Sequence, residues 1–169
     1  MSNKDAVSVR TETVCKVYET DGLAVEAVRD VTLEIEAGEF VVLAGPSGSG
    51  KTTLLNLVGG LTHPTSGRVW IADREVTHMS ERELARLRLE RIGFVFQAFN
   101  LLPVLTAGEN AEFTLLLQGV PESERRRLVS DVFKRIGIGG LEDRRPSKLS
   151  GGQQQRVAVA RAVVGRPAL

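Results

Sequence analysis

Eight residues constrain this chain more than any others: Gly45-Pro46-Ser47-Gly48-Ser49-Gly50-Lys51-Thr52, the pattern G-x-x-x-x-G-K-[ST]. They follow the apolar run Phe40-Val41-Val42-Leu43-Ala44, which reads as a strand buried on both faces of a parallel sheet. They open a predicted helix that runs through Val58. Glycines let the backbone curl so that successive N–H groups point into one concavity, where phosphate oxygens fit. The helix adds its positive end. Lys51 is placed to bridge outer phosphates as a compact cation, and the Thr52 hydroxyl to ligate Mg²⁺. A plain Gly-rich turn explains neither the Lys-Thr pair nor the strand. Phosphate binding is therefore the first functional expectation. No D-x-x-G or N-K-x-D follows Thr52, which argues against a GTPase, whereas small-molecule kinases share the loop and stay open at this point.

Around this loop the pattern predicts strands at residues 6–14, 31–36, 68–72 and 92–96. In the second of these, Val31, Leu33 and Ile35 face one way. Ser80 with Glu83, and Thr106 with Glu109, form capping boxes that start two helices. Pro121 opens another, whose Leu128, Val132 and Ile136 recur every four residues before Gly137 stops it. A last helix runs from about Gly151 to Val164. Strands dominate to Phe96 and helices afterwards.

Composition narrows the setting. Of the 169 residues, 42% are hydrophobic and 25% charged, as in a soluble globular chain and unlike a disordered or fibrous one. With 22 Lys+Arg against 21 Asp+Glu the net charge is +1, so no nucleic-acid partner is expected. Cys15 is the single cysteine and cannot form an internal disulfide, which fits a reducing compartment. No run approaches the roughly 20 apolar residues of a membrane span, and the N-terminus lacks the apolar stretch of a secretory signal. The expectation is a cytoplasmic chain whose membrane-spanning part, if it works at a membrane, comes from a partner.

A second motif narrows the class. Leu149-Ser150-Gly151-Gly152-Gln153 is another anion-ready helix start: Ser150 caps, Gln153 closes the box, and two glycines bare the backbone N–H groups. Taken with the phosphate loop it resembles the signature of ATP-binding cassette (ABC) ATPases. Gln97, after the run Gly93-Phe94-Val95-Phe96, stands where that family has its Q-loop glutamine. Tyr18, the only tyrosine, stands where the family stacks adenine on an aromatic ring. Gly59-Gly60-Leu61 and the stretches 80–92 and 96–104 resemble the lipoprotein-release and macrolide-export ATPases.

The resemblance implies an α/β fold. It has a P-loop NTPase (RecA-like) core, an N-terminal antiparallel β part and a helical signature subdomain, and is incomplete at the C-terminus. It divides the chain into 1–96 (core, β part and P-loop), 97–152 (helical subdomain) and 153–169 (signature helix). It makes ATP and Mg²⁺ the ligands. Tyr18, Gly45, Pro46, Ser47, Gly48, Ser49, Gly50, Lys51, Thr52 and Thr53 hold the nucleotide. Lys51 and Gln97 serve catalysis, and Thr52 and Gln97 the metal. Ser150, Gly151, Gly152 and Gln153 close on ATP bound by a second subunit in a head-to-tail dimer. Phe94, Phe96, Phe99, Leu101 and Leu102 border a groove for a helix of an integral membrane permease; core packing explains Phe94 and Phe96 equally well. The implied function is ATP hydrolysis driving transport, at the inner face of the cell membrane.

The family continues beyond this helix into a Walker B Asp, a catalytic Glu and a switch His, and the sequence ends at Leu169, before them. His63 and His78 precede Gln97 and are excluded as the switch by order. The 169 residues alone are therefore expected to bare an apolar edge, to fold poorly or bind nucleotide weakly, and not to turn ATP over. They read as part of a longer frame. Asp73-Arg74 stands where the family often has a turn Gly, which predicts a different turn type there. Alternatives are a DNA-repair cassette, disfavoured because only 51 residues without heptads separate Gln97 from Leu149; a two-cassette translation factor; and a non-hydrolysing nucleotide-binding fragment.

Overall fold

Two long strands, β1 (Val7–Thr20) and β2 (Leu23–Glu36), pair antiparallel. The computed structural model describes residues 7–20 and 22–169; the start of the expected first strand, Ala6, lies outside them. β1 also pairs with β3 (Ser66–Ile71), and β3 with β4 (Arg74–Glu75), giving an antiparallel sheet of order β2-β1-β3-β4 among the described residues. The expected alternation holds: Val31, Leu33 and Ile35 are half-buried and Thr32, Glu34 and Glu36 exposed. Both long strands carry register shifts, with Thr13 at φ 47°. Gly67 lies against that bulge so closely that a Cβ would stand 2.4 Å from the Thr13 carbonyl oxygen.

The helices are α1 (Lys51–Val58), α2 (Glu81–Arg91), α3 (Ala107–Leu117), α4 (Glu122–Arg135) and α5 (Gly151–Val163). All three expected capping boxes form. Thr106 accepts from Glu109 N at 3.2 Å while Glu109 Oε2 accepts from Thr106 N at 2.7 Å. Ser80 and Glu83 make the same exchange, and the Ser80 hydroxyl also donates to the Glu83 carboxylate at 2.6 Å. These bonds hold the Glu83 carboxyl below its usual pKa, so this cap is intact at neutral pH and is lost as pH falls through the carboxylate range.

Two expected strands are corrected. Residues 40–44 belong to no strand or sheet, and Phe40 and Val42 are 91% and 71% exposed rather than buried on both faces. Residues 92–96 are likewise unassigned. A strand is a relation between segments, and among the described residues no ladder reaches 40–44. Among the described residues Leu169 N donates to Arg91 O at 3.1 Å and Gly93 N to Leu169 O at 2.8 Å, the bonding of a parallel pair about Ile92. The β3–β4 hairpin does avoid Arg at positive φ. Its left-handed residue is Ala72, at φ 53°, and Arg74 sits in β4.

The described chain divides into two compact units, one to Arg88 and one from Leu89 to Pro167. The first buries Val9, Val14, Val69 and Ile71 of the sheet, with Leu57 of α1 and Leu84 and Leu87 of α2. The second packs Ala107, Ala111 and Leu115 of α3 and Val129 and Phe133 of α4 with Val157 and Ala160 of α5. Its buried polar anchor is Asn110, fully enclosed. Asn110 Oδ1 accepts from Leu102 N at 2.7 Å, and its Nδ2 faces the carbonyls of Leu102, Leu105 and Thr106 at 3.0, 3.3 and 2.8 Å. Asn110→Ala strands those buried groups and is expected to lower the unfolding free energy by about 3 kcal/mol. Thr106→Ala, at an exposed cap, should lower it by about 1 kcal/mol. Urea titration of the two variants checks the ranking.

Candidate functional site

The phosphate loop joins residues 40–44 to α1. Gly45, Gly48 and Gly50 have φ of 152°, 78° and 83°, so three of its backbone positions require glycine. Gly50 is the most confined. It caps α1 in the left-handed region, and a Cβ there would stand 2.2 Å from the Ala27 carbonyl oxygen of β2. The sheet thus fixes where α1 begins. The first ladder bond of α1 runs from Leu54 N to Gly50 O at 2.8 Å, so the N–H groups of Lys51, Thr52 and Thr53 precede any carbonyl that the helix offers. No side chain caps this end and no acidic residue stands in its first turn. The result is a cluster of donors with a positive dipole and no internal anion.

Lys51 is drawn into the same loop. Its Nζ donates to Gly45 O at 2.9 Å, Pro46 O at 2.5 Å and Ser49 Oγ at 3.3 Å. These are neutral oxygens, so an anion placed there gains a charge-assisted partner already in position. Thr52 is exposed and Thr53 half-buried. The hard oxygens of the Thr52 hydroxyl and the Gln97 amide suit Mg²⁺ in chemistry. Among the described residues no group of three or more acidic, His or Cys side chains could hold a metal by itself. Tyr18 is 39% exposed on β1, opposite Val25, and the Lys16 ammonium lies 5.1 Å from its ring centroid. Lys16 in turn donates to His63 O at 2.8 Å.

The second helix start lies in the second unit. Ser150 Oγ accepts from Gln153 N at 3.3 Å and Gln153 Oε1 accepts from Ser150 N at 2.9 Å. Each bond pairs one backbone N–H with one side-chain oxygen. The Ser150 hydroxyl hydrogen, the Gln153 amide hydrogens and the Gly151 and Gly152 N–H groups are donors outside this exchange, a set that suits an anion. A Cβ on Gly151 or Gly152 would meet nothing within 4 Å, and neither residue has positive φ. No internal contact therefore calls for glycine at either position, in contrast to Gly50.

Gln97 is exposed, after the stacked rings of Phe94 and Phe96, whose centroids are 5.8 Å apart. Phe94, Phe99 and Leu101 are half-buried, while Phe96 and Leu102 are exposed. Leu101 packs against the core of its unit. The structure thus gathers Gly45, Pro46, Ser49 and Lys51 in one loop, and Ser150 with Gln153 in one cap. Sequence reading missed Arg161 and Asn110. Arg161 Nη1 and Nη2 donate to Asn100 O and Phe99 O, each at 2.7 Å. Arg161 binds carbonyls some sixty residues away, so no local pattern marks it, whereas Asn110 binds carbonyls only four to eight residues before it and shows no spacing motif that singles it out.

Comparison with known proteins follows the same lines. Residues 28–169 match the family model described as ABC transporter. An ABC transporter ATP-binding protein of Thermotoga maritima, named as uncharacterised, is 49% identical over 91% of this chain and 66% of its own length. The macrolide export ATP-binding/permease protein MacB of Brucella melitensis is 46% identical over 92% of this chain and 24% of its own. The lipoprotein-releasing system ATP-binding protein LolD of Alcanivorax borkumensis is 43% identical over 100% of this chain and 74% of its own. A bacterial ABC transporter cassette solved as a dimer superposes with a TM-score of 0.87 at 41% identity, covering 94% of this chain and 70% of that one. This chain spans less than two thirds of the length of the Thermotoga and Brucella relatives.

The contrast between the glycines is testable. Gly50→Ala should lower the stability of the first unit by roughly 2–4 kcal/mol, through strain and collision with Ala27. Gly151→Ala should leave stability unchanged or raise it by about 0.5 kcal/mol. Thermal melts that ranked the two alike would contradict the geometry. By sequence, by fold and by the two helix starts, the chain belongs to the ABC transporter family, and its fold is that of the ABC cassette.

Proposed function

We propose that the chain is the ATP-binding part of the ATP-hydrolysing subunit of an ABC transporter, which drives a separate membrane permease through ATP-dependent dimerisation. The observation that carries this reading is the loop at residues 45–52, where an uncapped helix start and a pre-placed ammonium are offered to an anion without an internal competitor. The N–H groups of residues 48–53 surround the phosphates, and Tyr18 stacks adenine once Lys16 yields its face. Lys51 neutralises charge between the outer phosphates, where negative charge builds as the terminal phosphoryl group leaves. Thr52 and Gln97 hold Mg²⁺, which when bound screens the phosphate oxygens. Gln97 also orients the attacking water.

The signature start completes the picture from a second copy. Its outward donors and two unfilled glycines fit close approach by a phosphate that this chain does not itself carry. Two solved cassettes that it resembles are dimers, one of them bound to ADP and Pi, which supports this reading. Names of relatives that combine ATP binding with macrolide export or lipoprotein release support a permease partner. No helix among the described residues is long and apolar enough to cross a membrane. The chain would then sit on the cytoplasmic side, against the inner face of the membrane.

Calorimetry with Mg·ATP tests the first half: the protein should bind, and Lys51→Ala should weaken binding at least about 100-fold, given how strongly a desolvated charge contact counts. Crosslinking tests the second. With Cys15 replaced by Ala, cysteines at Ser49 and Ser150 should join two copies only when ATP is present. Failure of ATP to bind would overturn the whole reading; binding without crosslinks would overturn the dimer.

A further inference from the structure

Gln97 is exposed, yet it stands in a closely determined piece of backbone. Phe99 N donates to Phe96 O at 3.0 Å, closing a turn with Gln97 at its first corner, and Asn100 N donates to Ala98 O at 2.6 Å. Phe99 and Asn100 both lie in the left-handed region, at φ 59° and 48°, which non-glycine residues adopt at a cost. Two such residues in succession persist only if something holds them. Their carbonyls are held by the two terminal nitrogens of Arg161, on the last turn of α5, each at 2.7 Å. Among the described residues no carboxylate pairs with Arg161, so the two carbonyls are its recorded partners. A planar guanidinium fits two adjacent carbonyls, and an ammonium cannot take both in the same geometry.

We infer that Arg161 is a positioning residue for Gln97: it locks the left-handed pair Phe99-Asn100, so that the glutamine turn is carried by the signature helix α5. The inference rests on the nucleotide-binding reading only for what Gln97 does; the lock itself stands on the hydrogen bonds. One helix then bears the donors at Ser150 and the lock at Arg161. A shift of α5 displaces the Gln97 turn with it.

Hydrogen exchange and nucleotide affinity together test this on the full chain. In Arg161→Met, the Phe99 and Asn100 amides should exchange at least about tenfold faster, while Gln154, early in α5, is unchanged as the internal reference. Arg161→Lys should recover part of the protection. The gain in ATP affinity produced by Mg²⁺ should fall by the same factor in Arg161→Met, in Gln97→Ala and in the double variant, because both act through one contact. Unchanged exchange at Phe99 and Asn100 would overturn the lock, and additive losses would overturn its service to Gln97. Equal acceleration across α5 would show a merely structural role and overturn it too. If the unsubstituted protein binds no ATP with or without Mg²⁺, the proposed function fails, and the exchange arm still decides the lock.

Discussion

Gly50 is squeezed between two demands at the start of α1. The chain must turn through φ 83° to start α1, and it must do so against the Ala27 carbonyl of β2, where a Cβ would come within 2.2 Å. That contact ties the donor cluster to the sheet. Without it the N–H groups of Lys51, Thr52 and Thr53 would still exist, but their direction would follow a flexible glycine loop. Because the sheet sets the origin of α1, the donors are fixed before any ligand arrives, and little ordering entropy remains to oppose binding.

The two helix starts use glycine for opposite reasons. In the phosphate loop, glycine answers internal geometry: positive φ at Gly45, Gly48 and Gly50, and contact at Gly50. At α5, Gly151 and Gly152 have ordinary dihedrals and open space, and both are poorer helix formers than alanine. Their presence costs stability and returns nothing within the chain. The box between Ser150 and Gln153 occupies both side-chain oxygens with backbone N–H groups, so the hydroxyl and amide hydrogens remain outside the exchange.

What was legible in the sequence was local. The boxes at Ser80, Thr106 and Ser150 need only residues three apart, and each forms as read. The phosphate loop is equally local, so its Lys51 and glycines were found from spacing alone. The run at residues 40–44 was not readable as a finished strand, because burial on both faces depends on neighbours elsewhere in the chain. The 14-residue lengths of β1 and β2 were hidden for a related reason: bulges near Thr13 and Asp30 break the alternation that would mark them as continuous. Arg161 was invisible because its partners are backbone carbonyls some sixty residues away, a contact that leaves no trace in side-chain pattern.

Seen as a mechanical part, α5 is stiff over its 13 residues, and Arg161 lies 11 residues beyond the capping Ser150, about 16 Å along the axis. A stiff rod with a donor cluster at one end and a two-pronged lock at the other cannot move one without the other, unless it bends. Asn110 extends the same connection. It binds the backbone at Leu102, Leu105 and Thr106 from within α3, just past the residues that Arg161 holds. Residues 99–106 are therefore gripped at both ends by enclosed or half-buried polar side chains of the helical unit, and exposed Leu102 and Val104 lie between those grips. Apolar side chains on a segment so held present a fixed shape rather than a mobile one. Such a surface can pass on the position of α5 to whatever rests against it.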